Sequence, residues 1–348
     1  MSTLDDFLDS PSSDLDTSLL DSSGLLDGRT ETNAGVSWSE PGYEGQIDYR
    51  IRQLSYSSIL SLHTCPRKFQ LYKLRTTNRL EETEKSRVTF SFGGIVGQAI
   101  QSTLEGKSWN TIAMEMLLGW KTDLFSEDPK LKKSFFSAYF AAKKFQAMLK
   151  AGLLKDYELV YYEGKPACEL SFCINLPDGF RFRGYVDAVL RNISTGEIIV
   201  LEVKTTGLKA LEPAMYKNSS QAIGYSIVLD HLFPDLSSYK VLYLVYQTSN
   251  EEFTPIPFAK SYLQRAQWIR ELLLEVDKIK MYEEAQIYPM HGESCFSFFR
   301  ECEYINSCTL STEHLTKPCS PEMEDKEEYQ ISISLLGLLD TQLRKVGS

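Results

Sequence analysis

The chain has 348 residues, of which 43% are hydrophobic and 24% charged, the composition of a soluble globular protein with room for one large domain or two ordinary ones. No apolar run approaches the roughly 18–20 residues of a membrane-spanning helix, so no membrane partner is expected. The net charge of −10 argues against a protein that coats nucleic acid non-specifically, but it is compatible with a local basic groove.

Residues 1–45, rich in Ser, Asp, Gly and Thr, read as a disordered acidic tail. Its pairs Leu19-Leu20 and Leu25-Leu26 suggest short helices for a protein partner. The opening MSTLDDFLDS has no basic region followed by an apolar stretch, and the seven cysteines are an odd number. A cytoplasmic, non-secreted protein with reduced or metal-bound thiols is expected. The sequons at Asn192 and Asn218 are discounted for the same reason.

Helical periodicity covers 55–75, with Ser55 as a cap, then 91–104, 108–121 and 130–151. The pattern changes at ELSFCINL (169–176), FRFRGYVDAVLR (180–191) and EIIVLEVKTT (197–206), which are rich in β-branched and aromatic residues. Turn signals at Pro177-Asp178-Gly179 and Ser194-Thr195-Gly196 make these an antiparallel meander. A helix at 212–231, a strand at 239–248 and a helix at 260–284 follow. The expected fold is α/β, a mixed central sheet flanked by helices, over 46–318. Residues 319–348 read as an acidic tail whose apolar segment, ISISLLGLLDTQL, docks as a helix or strand.

Asp187 in GYVDAVL and Glu202-Val203-Lys204 in VLEVKTT lie on two strands joined by a short hairpin. Hydrolysis of a phosphodiester needs a water ionised near neutral pH and an anionic transition state neutralised. Mg²⁺ or Mn²⁺ does both, held by oxygen ligands. Asp187, Glu202 and the Val203 carbonyl are candidate ligands. Glu202 and Lys204 are two apart, so they share a strand face, and Lys204 can orient or deprotonate the water. An acidic residue two before a lysine is by itself usually a solvated strand face. Here the strand is apolar up to Glu202, and buried carboxylates are costly unless paired or metal-bound.

These motifs, in this order, resemble the RecB-like branch of the PD-(D/E)XK nucleases, shared by RecB and AddB repair nucleases, the CRISPR-adaptation nuclease and many phage exonucleases. The likeness runs from Leu54 to Cys308. It includes SYSSILSLHTCPRKFQLYKL, FGGIVGQAIQSTLEG, RGYVDAVL, IIVLEVKTT and the Gln-x-x-x-Tyr pair Gln221 and Tyr225. It implies a restriction-endonuclease-like core, with Gln221 and Tyr225 adding to the site and its DNA contacts. One position departs. Where the family carries a metal-binding histidine the chain has Gly97, with Gln98, Gln101 or Glu105 as substitutes.

The resemblance also implies an iron–sulfur cluster, [4Fe–4S], on Cys65, Cys295, Cys302 and Cys308, tying the chain ends around the core. Zinc is the competitor, but its cysteine pairs are usually closer in sequence. Cys168, Cys173 and Cys319 read as plain thiols, and the four histidines, His63, His231, His291 and His314, as structural or surface residues. Arg67 and Lys68, with Phe69 and Tyr72, are candidate phosphate and base contacts. The function so implied is a metal-dependent deoxyribonuclease, an exonuclease on single strands or duplex ends, in bacterial or phage recombination, repair or DNA processing. The alternatives are a non-cleaving DNA-binding or decoy protein, an RNA-directed nuclease, and an interaction protein whose acidic N-terminus carries the function.

Overall fold

A computed structural model of the chain describes residues 51–74, 84–120, 132–233, 239–285, 287–297, 300–306, 308, 329–335 and 337–338. The expectations for residues 1–45, the acidic run Glu322 to Glu328, Cys319 and His314 fall outside these residues.

The strand-forming runs build one sheet of eight strands among the described residues. They are β1 (Gln53–Leu54), β2 (Tyr157–Leu159), β3 (Cys168–Asn175), β4 (Arg181–Asn192), β5 (Ile198–Thr206), β6 (Tyr239–Gln247), β7 (Glu252–Lys260) and β8 (Ile331–Ser334). The order is β8-β3-β4-β5-β6-β7, with β1 and β2 also paired to β4. The meander β3-β4-β5 is antiparallel, β5 and β6 are parallel, and β6 and β7 antiparallel, so the sheet is mixed as expected.

Helices cover both faces: α1 (Tyr56–Thr64), α2 (Pro66–Leu74), α3 (Glu84–Leu104), α4 (Trp109–Gly119), α5 (Phe135–Lys150), α6 (Ser220–Leu232) and α7 (Tyr262–Glu284). On one face Val200 and Val245 pack with Ile227 of α6 and Ile269 of α7. On the other, Leu201 and Leu244 pack with Val96 of α3, Ile112 of α4 and Ala142 of α5. β5 contributes to both layers, and this is why its sequence is a continuous apolar run rather than an alternation. Glu202 and Lys204 stand where that run ends.

Three details differ from the sequence expectations. The helix expected over 55–75 is two helices, because Cys65 is extended (φ −161°, ψ 111°) ahead of Pro66, whose ring disfavours a helical predecessor. Ser55 caps α1 as expected, its hydroxyl accepting from Ser58 N. β7 was not expected, since Pro255 and Pro257 lower strand propensity. It lies at the sheet edge, where a missing N–H is tolerated. The helix expected over 212–231 is one turn, Ala214–Lys217, followed by α6. The apolar stretch from Ile331 docks as β8, parallel to β3, with Ile331 and Ile333 buried and the serines between and after them exposed.

Candidate active site

The β4–β5 ladder pairs Ala188 with Leu201 and stops there, one residue short of Asp187 and Glu202. Beyond it the Asp187 side chain takes over from the backbone: Val203 N donates to Asp187 Oδ2 at 3.0 Å. The strands therefore part at the two carboxylates, and the Asp187 side chain lines a cavity there.

Asp187 also lies where its strand changes face. Val186 packs in the α6–α7 layer and Ala188 in the α3–α5 layer, although residues two apart on a regular strand share a face. On the neighbouring strand Leu170 and Cys168 divide in the same way. Between them Glu169 has a left-handed backbone (φ 49°), a rare conformation for a residue with a side chain. The reversal turns Asp187 and Glu169 into a cavity of about 550 Å³, lined also by Gly93, Gly97, Gln98 and Gln101 of α3 and by Val203.

Glu202 and Lys204 face α6. Lys204 Nζ is 2.5 Å from Glu202 Oε1 and donates to Gln221 Oε1 at 2.9 Å. Gln221 Nε2 in turn donates to the Tyr225 hydroxyl at 2.6 Å. The i, i+4 pair of the sequence thus forms one hydrogen-bonded row with the lysine. Tyr56, at the start of α1, packs edge-on against Tyr225 with ring centroids 5.7 Å apart. Gly224 makes room for its hydroxyl.

The electrostatics are those of a site short of positive charge. Burial, then the Glu202 charge, pushes Asp187 up to about 8, with the Val203 N–H and Lys204 opposing. Burial also raises Glu202, against Lys204 and the Tyr225 hydroxyl. Glu202 Oε2 is buried with no hydrogen-bond partner among the described residues. Burial and the Glu202 charge hold Tyr56 and Tyr225 well above the usual phenol range, so both stay protonated.

Buried carboxylates lacking partners are the oxygen donors that a hard cation takes. No three His, Cys, Asp or Glu side chains among the described residues stand close enough to hold an ion directly. The donor set therefore fits Mg²⁺ or Mn²⁺ bound through one or two carboxylates and water, not an all-protein cage. At Gly97 an added Cβ would meet nothing within 4 Å, so the wall is open where the resemblance expects a histidine. Of the substitutes, Gln98 lines the cavity, Gln101 donates to Glu169 Oε1 at 2.8 Å, and Glu105 pairs with Lys107 at 3.0 Å.

The α1–α2 junction lies apart from this cavity. Arg67 does not line the cavity; its Nε donates to the Cys308 carbonyl at 3.0 Å and its Nη1 to Gln70 Oε1 at 2.6 Å. Lys68 lies 3.7 Å from Glu303. Phe69 is fully buried in the core, so it offers no face for a base, whereas Tyr72 is exposed. Arg67 and Lys68 therefore reach the cysteine segment, because Pro66 turns α2 toward it.

That segment is built onto Cys65. His291 Nδ1 and Ser294 Oγ both contact the Thr64 carbonyl, at 3.0 and 2.8 Å. Cys302 N donates to Cys295 O at 2.7 Å. Burial, with the Cys65, Cys295 and Cys302 thiols nearby, raises the Cys308 thiol, and Arg67 opposes the shift. Cys65, Cys295 and Cys302 thus lie near enough to act on the Cys308 thiol, although no three of these side chains stand as ligands of a single ion among the described residues. Cys173 is buried, and burial pushes the Cys168 thiol up to about 12. His63 pairs with Glu275 at 3.0 Å.

Glu169 and Tyr56 were not singled out in the sequence. Neither carries a local signal, since register places the first and packing the second.

No helix among the described residues is long and apolar enough to cross a membrane. A search of curated proteins finds no match. Among solved structures, a candidate exonuclease from Eubacterium rectale is similar at 13% identity and a TM-score of 0.45, over 74% of this chain and 90% of that one. SSO0001 is similar at 16% identity and a TM-score of 0.31, over 74% and 86%. A sequence profile of the PD-(D/E)XK nuclease superfamily matches residues 53–309, from β1 through the cysteine segment, and the chain belongs to that superfamily.

Proposed function

We propose that the protein is a divalent-metal-dependent deoxyribonuclease of the RecB-like branch, acting as an exonuclease on DNA ends or single strands in recombination, repair or phage DNA processing. Membership of a nuclease superfamily supports a nucleic-acid substrate and phosphodiester hydrolysis. The observation that carries the reading is the row Glu202–Lys204–Gln221–Tyr225 beside the half-buried Asp187 carboxylate.

In this reading Asp187, Glu202 and the Val203 carbonyl hold Mg²⁺ or Mn²⁺. The ion, when bound, lowers the pKa of water and neutralises the developing phosphate charge. Lys204, aimed by Gln221, orients the attacking water and offsets the phosphate charge. Gln221 and Tyr225, the latter buried and kept protonated, support the Glu202–Lys204 pair and the substrate strand. Cys65, Cys295, Cys302 and Cys308 hold a [4Fe–4S] cluster that ties the late cysteine segment to α1. Their shared neighbourhood and four-thiol donor set support this.

A second reading, a DNA-binding protein without cleavage, draws on the open wall at Gly97. The test offers labelled DNA and RNA in competition with Mn²⁺ present. Degradation of DNA alone supports the proposal. Degradation of RNA alone, or binding without cleavage, overturns it.

A further inference from the structure

Glu169 stands across the sheet from Asp187. The β3–β4 ladder pairs Cys168 with Ala188 and Leu170 with Val186, which leaves Glu169 opposite Asp187. Its left-handed backbone breaks the pleat at that point, and its side chain lines the same cavity as Asp187 and Val203. Glu202, by contrast, faces α6.

Asp187 has one hydrogen bond, from Val203 N to Oδ2, so its other oxygen faces the cavity without a partner among the described residues. Gln101, buried in the cavity wall, donates to Glu169 Oε1 and so holds that carboxylate in place. Gln101 lies four residues after Gly97, on the same face of α3. The side of the cavity that lacks a donor at Gly97 thus has an acidic group held opposite it.

We infer that Glu169, positioned by Gln101, is a further carboxylate of the cation site, reaching it from β3 across from Asp187. Glu169 would act on a bound Mg²⁺ or Mn²⁺ through water, since hard cations of this size keep several waters. It also adds a negative charge beside Asp187 in a lining whose other carboxylate, Glu105, is paired with Lys107. The inference rests on the divalent-cation reading above.

The experiment measures Mn²⁺ binding to the full chain without DNA, by the loss of the free-ion paramagnetic resonance signal. Wild type, Glu169→Gln, Asp187→Asn, and Glu169→Gln combined with Gly97→His are compared, each checked by thermal melting. Glu169→Gln is expected to weaken Mn²⁺ binding roughly 10–100-fold, the range for partners just outside the ligands. Gly97→His, which enters open space, is expected to restore part of the loss. Wild-type affinity in Glu169→Gln, with binding lost in Asp187→Asn, overturns the role of Glu169 and leaves the cation site standing. No Mn²⁺ binding by the wild type overturns both.

Discussion

Lys204 Nζ lies 2.5 Å from Glu202 Oε1, two residues along the same strand, and its other contact is Gln221 Oε1 at 2.9 Å. The ammonium is thus aimed by two fixed acceptors while its side chain remains 37% exposed. Lys204→Ala is expected to lower the DNA cleavage rate roughly 10²-fold or more, the usual cost of removing one positioned donor to the transition-state charge. The metal-free variant is also expected to melt lower, because the buried Glu202 carboxylate loses its only cationic partner among the described residues. Initial rates on an end-labelled strand, beside a thermal melt, check this. A rate near wild type would remove Lys204 from the chemistry.

Asp187 makes the metal-free protein pH-sensitive. An unfolded aspartate titrates near pH 4, whereas burial and Glu202 push Asp187 up to about 8 in the fold. Between those values the folded state binds a proton that the unfolded state lacks, so stability falls as pH rises through the window. Asp187→Asn, which has no charge to bury, is expected to melt higher than wild type at pH 8 in a chelator. The difference should shrink toward pH 4. Paired melts across that range test it, and a constant difference contradicts it.

Gly224 sits in mid-helix, where glycine to alanine ordinarily stabilises by about 1 kcal/mol. Here the added methyl would run into the Tyr56 hydroxyl and approach Trp268 Cζ2 to 3.0 Å. Gly224→Ala is expected to destabilise by about 1–3 kcal/mol, the range for overpacking. Tyr56→Phe, which removes the hydroxyl, should recover part of that loss. A double-mutant cycle by urea unfolding measures the coupling, and additivity would contradict the contact.

The cysteine neighbourhood has its own test. Protein purified without oxygen is expected to carry about four iron and four sulfide per chain, with a brown chromophore. Cys65→Ser should lose both and melt lower, because the cluster's tie would be lost and hydrogen bonds such as those of His291 and Ser294 to the Thr64 carbonyl would hold the late segment. Zinc in place of iron, or no metal at all, contradicts the cluster.

Local patterns made much of this legible in the sequence. The apolar run of Ile198–Leu201 signals a central strand, the hairpin spacing pairs Asp187 with Glu202, and i, i+4 spacing aligns Gln221 with Tyr225. What was not legible depends on tertiary placement. The face reversal at Glu169 depends on register between two strands. The prolines of β7 are tolerated only because that strand is an edge. The contacts of Arg67 and Lys68 with the cysteine segment follow from the break at Cys65 and Pro66, which a linear reading of the helix does not show.

The central claim is metal-dependent cleavage at the Asp187–Glu202–Lys204 site. The most direct measurement is degradation of end-labelled single- and double-stranded DNA by anaerobically purified protein. It is run in Mg²⁺, in Mn²⁺ and in chelator, beside Glu202→Gln. The account predicts cleavage that needs the metal and is lost in Glu202→Gln. Cleavage that persists in chelator or in the variant, or DNA binding without cleavage in every condition, would contradict it.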